Sequence, residues 1–266
     1  MRLSDLQRRV QAQPKDGLLN LFPNASAAYS LQSLSKFTNA VVRVRRSSDN
    51  AQQDFSENGI LSGLLTQFVG AGNNGFVSIF YDQSGNGNNA VQLILVNQPL
   101  IVQNGSLILS NGKPSILFNT RTQALEFSTI TPVSTFTVGE VGTFGVINYI
   151  LFGSNQGFWY AGQNNAGPGG FDGINIRAIS NAFRSLNQQL LSYFVNSSFF
   201  QVNVNTINSF NLPVLNSIQV NSIGRNFNNA DLNFNGKISE IIIYDFNQTE
   251  NRLAIEANIN QRYAIF

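Results

Sequence analysis

From about residue 90 onward the chain alternates short apolar runs with turns rich in Asn and Gly. The runs fall at residues 99–102, 106–109, 115–118, 136–141, 146–152, 158–160, 174–178, 190–195, 199–204, 217–223 and 237–244. Strands this short, broken this regularly by turn residues, predict an all-β sandwich. Three stretches read as short helices instead. One starts at Pro23-Asn24 and ends near Lys36, and a second covers residues 60–69. The third, residues 249–263, carries the i,i+4 pairs Leu253/Ala257 and Ile255/Ile259 and predicts a helix packed on the sheet edge. In Val42-Arg43-Val44-Arg45 the alternation turns the valines inward and puts Arg43 and Arg45 on one exposed face. Residues 164–170, Asn-Asn-Ala-Gly-Pro-Gly-Gly, predict a long loop, either the lip of a binding surface or a bare connection.

Composition narrows the chemistry. The 266 residues include 22 Phe and 22 Gly with only 11% charged residues, which suits one large β domain. The absence of Cys excludes disulfides, thiolate metal sites and a cysteine nucleophile, and the absence of His excludes imidazole bases and ligands. A net charge of +2 gives no argument for a nucleic-acid partner. Its distribution is uneven, because Arg2, Arg8, Arg9, Lys15, Lys36, Arg43, Arg45 and Arg46 crowd the first fifty residues. Leu3, Leu6 and Val10 share one face of a short helical stretch ahead of Pro14, with Arg8 and Arg9 beside them. We therefore divide the chain into an anchoring arm, residues 1–22, and a sandwich domain, residues 23–266; a frayed basic terminus is the other reading of the arm. The first ten residues lack the apolar core of an export signal, and no apolar run reaches membrane-spanning length, so membrane insertion is not expected.

The most distinctive segment is Phe80-Tyr81-Asp82-Gln83-Ser84-Gly85-Asn86-Gly87-Asn88-Asn89. Asp82, Ser84, Asn86 and Asn88 place short polar side chains on a turn whose glycines can take positive φ, which predicts a hairpin held by side-chain-to-backbone bonds. The alternative is a cation site, since Asp-x-Ser-x-Asn-Gly copies the first half of an EF-hand loop. Leu93 stands where that loop needs its bidentate carboxylate, which excludes the complete motif. No cofactor is expected, with calcium at this turn as the alternative.

Three segments together resemble the catalytic domain of α-L-arabinofuranosidase B: Ala27-Ala28-Tyr29-Ser30-Leu31, Arg43-Val44-Arg45-Arg46-Ser47-Ser48-Asp49-Asn50 and Tyr81 through Asn88. Ile223-Gly224-Arg225-Asn226 and residues 234–244 are similar to the closing strands of that fold and of laminin-G-like lectin domains. The resemblance spans residues 24–263 and implies a concanavalin A-like jelly roll. It also implies a site with paired cysteines, a glutamate nucleophile and an aspartate acid. This chain has no Cys, has Arg225 at the position matching the acid, and offers no match for the nucleophile. Retaining hydrolysis needs two carboxyl groups about 5 Å apart, so the expectation is a protein that is not an enzyme.

Domains with this signature look like those of phage virion proteins. The resemblance thus implies a head decoration, head fibre or tail component on the virion surface, with the arm bound to capsid or tail proteins and the chain forming a homo-oligomer. A cell-surface glycan is the expected ligand, taken on a platform of Phe158, Trp159, Tyr160 and Phe171 with Asp172 beside them; sandwich core is the other reading of these aromatics. A glycoside hydrolase and a cellular lectin or adhesin are the alternative functions.

Overall fold

The computed structural model describes residues 17–36, 39–142, 148–153, 156–161, 166–180, 185–206, 208–224 and 233–266. The arm residues Leu3, Leu6, Arg8, Arg9 and Val10 and the position of Arg225 lie outside them, as do the side chains of Trp159 and Tyr160.

In chain order the strands are β1 (Ala27–Ser30), β2 (Val42–Arg46), β3 (Gln52–Phe55), β4 (Gly75–Phe80), β5 (Ala90–Val91), β6 (Leu100–Gln103), β7 (Ser106–Leu107), β8 (Leu109–Ser110), β9 (Lys113–Pro114) and β10 (Ile116–Phe118). They continue with β11 (Leu125–Ile130), β12 (Ser134–Val141), β13 (Asn148–Phe152), β14 (Gly157–Ala161), β15 (Ala166–Phe171) and β16 (Ile176–Ser180). The last are β17 (Gln189–Val195), β18 (Phe200–Val204), β19 (Asn208–Leu212), β20 (Val220–Ile223) and β21 (Gly236–Tyr244). Pairing resolves them into two antiparallel layers. The back layer runs β21-β12-β17-β18-β19, with β1 and β10 end to end along the free side of β21. The front layer runs β3-β2-β4-β5-β11-β20-β13-β14-β15-β16. Strand β6 pairs with β4 on one side and β10 on the other, and so ties the layers together at one edge.

Period-two alternation fills the sandwich. Val42, Val44, Val77 and Phe127 from the front meet Leu191, Tyr193, Ile241 and Ile243 from the back in one core. Alternate residues of the back layer, Phe136, Val138, Ile242 and Tyr244, form a second core under the C-terminal helix α4 (Arg252–Tyr263), through Ile255, Ile259 and Tyr263. Leu18 and Leu19 of the short helix α1 (Leu18–Leu21) join this second core, so the described end of the N-terminal segment packs onto the back layer.

The sandwich expected from the spacing of turns is therefore present, with four corrections in detail. Residues 24–36 hold no helix; Ala27–Ser30 is a fully buried strand, because pairing with Ile243 through Glu240 outweighs a weak helical stripe. The helix at 60–69 is two, α2 (Glu57–Leu61) and α3 (Leu64–Val69), broken where Gly63 takes φ +85. The glycine-rich run is strand β15 from Ala166 to Phe171, and Gly169 lies so near β16 that a Cβ would sit 2.4 Å from the Arg177 carbonyl oxygen. Helix α4 covers the face of the back layer instead of its edge, which leaves Leu253 and Ala257 exposed.

Candidate functional site: the outer face of the front layer

The outer face of the front layer is largely uncovered between β3 and β11. Register aligns Asp54, Arg43, Ile79, Val91 and Glu126 in one row across β3, β2, β4, β5 and β11, and cross-strand partners point to the same face. At one end Arg43 donates from Nε to Asp54 Oδ1 (2.6 Å) and from Nη2 to Oδ2 (2.8 Å), a fork that matches a carboxylate in two places. Tyr81 donates its hydroxyl to the same Oδ1 (2.8 Å). The hydrogen bond from Arg43 holds the Asp54 carboxyl below its usual range and raises the guanidinium above its own. Burial, and then the Asp54 hydrogen bond, push the Tyr81 phenol up to about 12. The cluster is thus ionised, internally neutral and fixed in orientation at neutral pH.

The loop from Gln92 to Gln98 frames this face. Its apolar side chains Leu93 (85% exposed), Ile94, Leu95 and Val96 (79%) stand in solvent, yet its backbone is pinned from beneath. Arg45, 6% exposed, donates from Nε to Gln98 Oε1 (2.7 Å), from Nη1 to Asn50 Oδ1 (2.7 Å) and from Nη2 to the Leu95 carbonyl (3.2 Å). Its guanidinium carbon also lies 4.5 Å above the Phe76 ring. Gln92 donates to the Ala124 carbonyl and accepts from the Ile94 amide, and Gln98 donates to the Gln92 carbonyl. Arg43 and Arg45 do share a face, as the alternation predicts, but the loop covers Arg45, and burial lowers its pKa.

Between the loop and the row lies a cavity of about 240 Å³, whose lining mixes polar side chains (Arg43, Gln52, Ser78, Gln92, Gln98) with apolar ones (Ile79, Val91, Leu93, Leu95). A second hollow, about 410 Å³, opens on the far side of Tyr81 against Ser35, Asn39 and Gly85. Asp54 and Glu126 are the two carboxylates of the row. Four strand steps of about 4.8 Å separate them by roughly 19 Å, too far for either glycosidase geometry. Among the described residues no group of three or more acidic side chains could hold a metal ion.

The other sequence-derived candidates fall elsewhere. Phe158 is in the sandwich core, 1% exposed, 4.9 Å from the Tyr193 ring centroid. Phe171 is half-buried at the end of β15. Asp172 is buried and accepts from the Ile174 and Asn175 amides, the Asn175 side chain and the Asn216 amide, so its acceptors are used in closing a turn. The signature turn has the same character. Asp82 Oδ1 accepts from the Ala28 and Ser84 amides, and Oδ2 from the Ser84 hydroxyl and the Asn88 amide. Asn86 and Asn88 donate to the Ala25 and Ser26 carbonyls, while Gly85 and Gly87 take φ +93 and +74. Gln52 and the apolar loop were not legible as a site, because nothing local marks an exposed Leu-Ile-Leu-Val run as rigid.

The fold is shared with solved arabinofuranosidase structures. The chain superposes on a GH54 α-L-arabinofuranosidase soaked with a cyclic sulfate inhibitor, with a TM-score of 0.67 and 14% identity over 88% of this chain and 62% of that one. It superposes likewise on an arabinofuranosidase complexed with arabinofuranosyl-α-1,2-xylobiose, with a TM-score of 0.61, 14% identity and the same coverage. The chain therefore spans 62% of the length of these enzymes, and the likeness is one of fold. No family model and no curated protein matches the sequence. The expectation that the protein is not an enzyme is corrected by these neighbours: the architecture itself is one on which arabinofuranoside hydrolysis is carried out, so missing cysteines and an Arg at the matched acid position do not exclude catalysis.

Proposed function

We propose that the protein is a carbohydrate-binding sandwich that takes neutral, arabinofuranose-bearing polysaccharide on the outer face of its front layer. The observation that carries this reading is the Arg43–Asp54–Tyr81 cluster, exposed beside a cavity and internally neutral, on a fold shared with proteins solved in complex with arabinofuranosides. A fixed fork of donors and acceptors beside an apolar wall matches the hydroxyl edge and the C–H face of a sugar ring. Neutrality favours uncharged sugars over uronic or sialic acids. Display on a phage particle, as a homo-oligomer anchored by residues 1–22 to capsid or tail proteins, completes the proposal; it is supported by the signature turn and the basic arm.

Affinity electrophoresis in gels containing arabinoxylan tests the binding. We expect retardation of the protein, abolished by Arg43→Ala, and unchanged migration in gels containing a polyuronic acid. Retardation equal in Arg43→Ala would overturn this placement of the site. Hydrolysis is the second reading, favoured by the enzymes that share the sandwich, and release of 4-nitrophenol from 4-nitrophenyl α-L-arabinofuranoside reads it directly. Any such turnover would use a carboxylate pair other than Asp54 and Glu126.

A further inference from the structure

We propose that the cavity between Gln52 and the Gln92–Gln98 loop is a subsite for one neutral sugar ring, with Leu93 and Leu95 as the wall that selects it; this deepens, and rests on, the carbohydrate-binding reading. The volume of about 240 Å³ is below the roughly 300–1,000 Å³ of sites that take drug-sized ligands, so it admits a single ring and not a chain segment. The lining combines polar and apolar groups. Among the polar groups, Arg43 spends Nε and Nη2 on Asp54, which leaves Nη1 as a donor. Gln52 accepts at Oε1 from the Ser78 hydroxyl (2.8 Å), which fixes its amide and leaves the NH₂ group as a second donor. Two such donors in one cavity suit the ring oxygen and hydroxyls of a sugar. Among the described residues Arg43 is the only charged one lining the cavity, and Asp54 neutralises it, so an anionic ligand gains nothing there.

The lining also has an apolar part. Ile79, Val91, Leu93 and Leu95 present aliphatic surface that suits the C–H face of a ring. Leu93 would be an unremarkable exposed residue on a loose loop. Here the loop is held by a buried guanidinium whose three hydrogen bonds all go to uncharged partners, one of them the Leu95 carbonyl. A buried charge without a carboxylate is costly, and here its hydrogen bonds tie the loop to β2. Arg45 is therefore a positioning residue: it keeps Leu93 and Leu95 at a set distance from Gln52, and so fixes the width of the slot.

The test uses the full chain, arabinoxylan gels and three substitutions at exposed positions, Gln52→Ala, Leu93→Asp and, at the far end of the front layer, Ile176→Asp. We expect Gln52→Ala and Leu93→Asp each to weaken retardation about three- to tenfold, the loss expected for one hydrogen bond or one apolar contact, and Ile176→Asp to leave it unchanged. Chemical-shift changes on adding methyl α-L-arabinofuranoside should then map to the Gln52 side chain and the Leu93 and Leu95 methyl groups. Wild-type retardation with Gln52→Ala and Leu93→Asp unaffected would overturn the subsite while leaving carbohydrate binding intact. An absence of wild-type retardation on arabinoxylan and on unsubstituted xylan would overturn both.

Discussion

The Asp82 carboxylate accepts a hydrogen bond from the Ala28 backbone amide at 2.8 Å, joining residues 54 apart in sequence. It fastens the edge strand β1 to the turn after β4, with Asn86 and Asn88 adding bonds to the Ala25 and Ser26 carbonyls. Replacing Asp82 by Ala leaves the amides of Ala28, Ser84 and Asn88 without their acceptor. We expect urea unfolding to show a loss of about 2–4 kcal/mol for Asp82→Ala, and less for Asp82→Asn, which keeps one acceptor oxygen. The same four bonds fill about all the lone-pair positions of the carboxylate. Added calcium should therefore leave the melting temperature unchanged, and a rise would reassign this turn as a cation site.

Arg45 holds three acceptors at once, and its removal strands Gln98 Oε1, Asn50 Oδ1 and the Leu95 carbonyl. Arg45→Ala should cost about 1–3 kcal/mol, from neutral acceptors left unpaired, and open the Gln92–Gln98 loop to limited proteolysis. Arg45→Lys should recover only part of that, because an ammonium cannot reproduce the fork. Intact loop protection in Arg45→Ala would show that Gln92 and Gln98 suffice to pin it.

The sandwich was legible because apolar runs and turn signals recur at sandwich spacing, and most strands lie within two residues of where the pattern puts them. What the sequence hid depends on partners distant in the chain. Ala27–Ser30 reads as a weak helix until β21 is placed beside it. Strand β3, Gln-Gln-Asp-Phe, has too little apolar character to announce itself, and yet it supplies both Gln52 and Asp54. The aromatic run at 158–160 looked like a sugar platform, but Phe158 stacks in the core with Tyr193 and Phe200. The site proposed above is built instead from Arg43, Tyr81 and an aliphatic loop, whose role appears only once their cross-strand neighbours are known.

Asp172 gives an acid-side signature. Burial would raise its pKa, but hydrogen bonds from the Asn175 side chain and the Asn175, Asn216 and Ile174 amides outweigh that and lower it below the ordinary 3.8. A carboxyl depressed in the folded state contributes stability that is fully present above the unfolded value and is lost as pH falls through the folded one. We expect Asp172→Asn to be less stable than wild type at neutral pH by about 1–3 kcal/mol, with the gap narrowing as pH drops below about 3.8. A gap independent of pH would mean that the bonds act without favouring the ionised form.

Two glycines give a paired prediction from close packing alone. Gly169 in β15 faces β16 so closely that a Cβ would meet the Arg177 carbonyl oxygen at 2.4 Å and the Ala178 Cα at 2.8 Å, both backbone atoms of the paired strand. Neither can withdraw without breaking the ladder, so Gly169→Ala should cost about 3 kcal/mol or more and separate β15 from β16. Gly59 is the counterexample. It sits inside helix α2, and its Cβ would meet only side-chain atoms at ordinary distances of 3.6 Å or more. There alanine removes the conformational freedom of glycine from the unfolded chain at no steric cost, and Gly59→Ala should stabilise by up to about 1 kcal/mol. Thermal unfolding of both variants checks the pair. Equal effects would mean that β15 and β16 can part to admit a methyl group, and that the glycines of 167–170 serve chain flexibility instead of close strand packing.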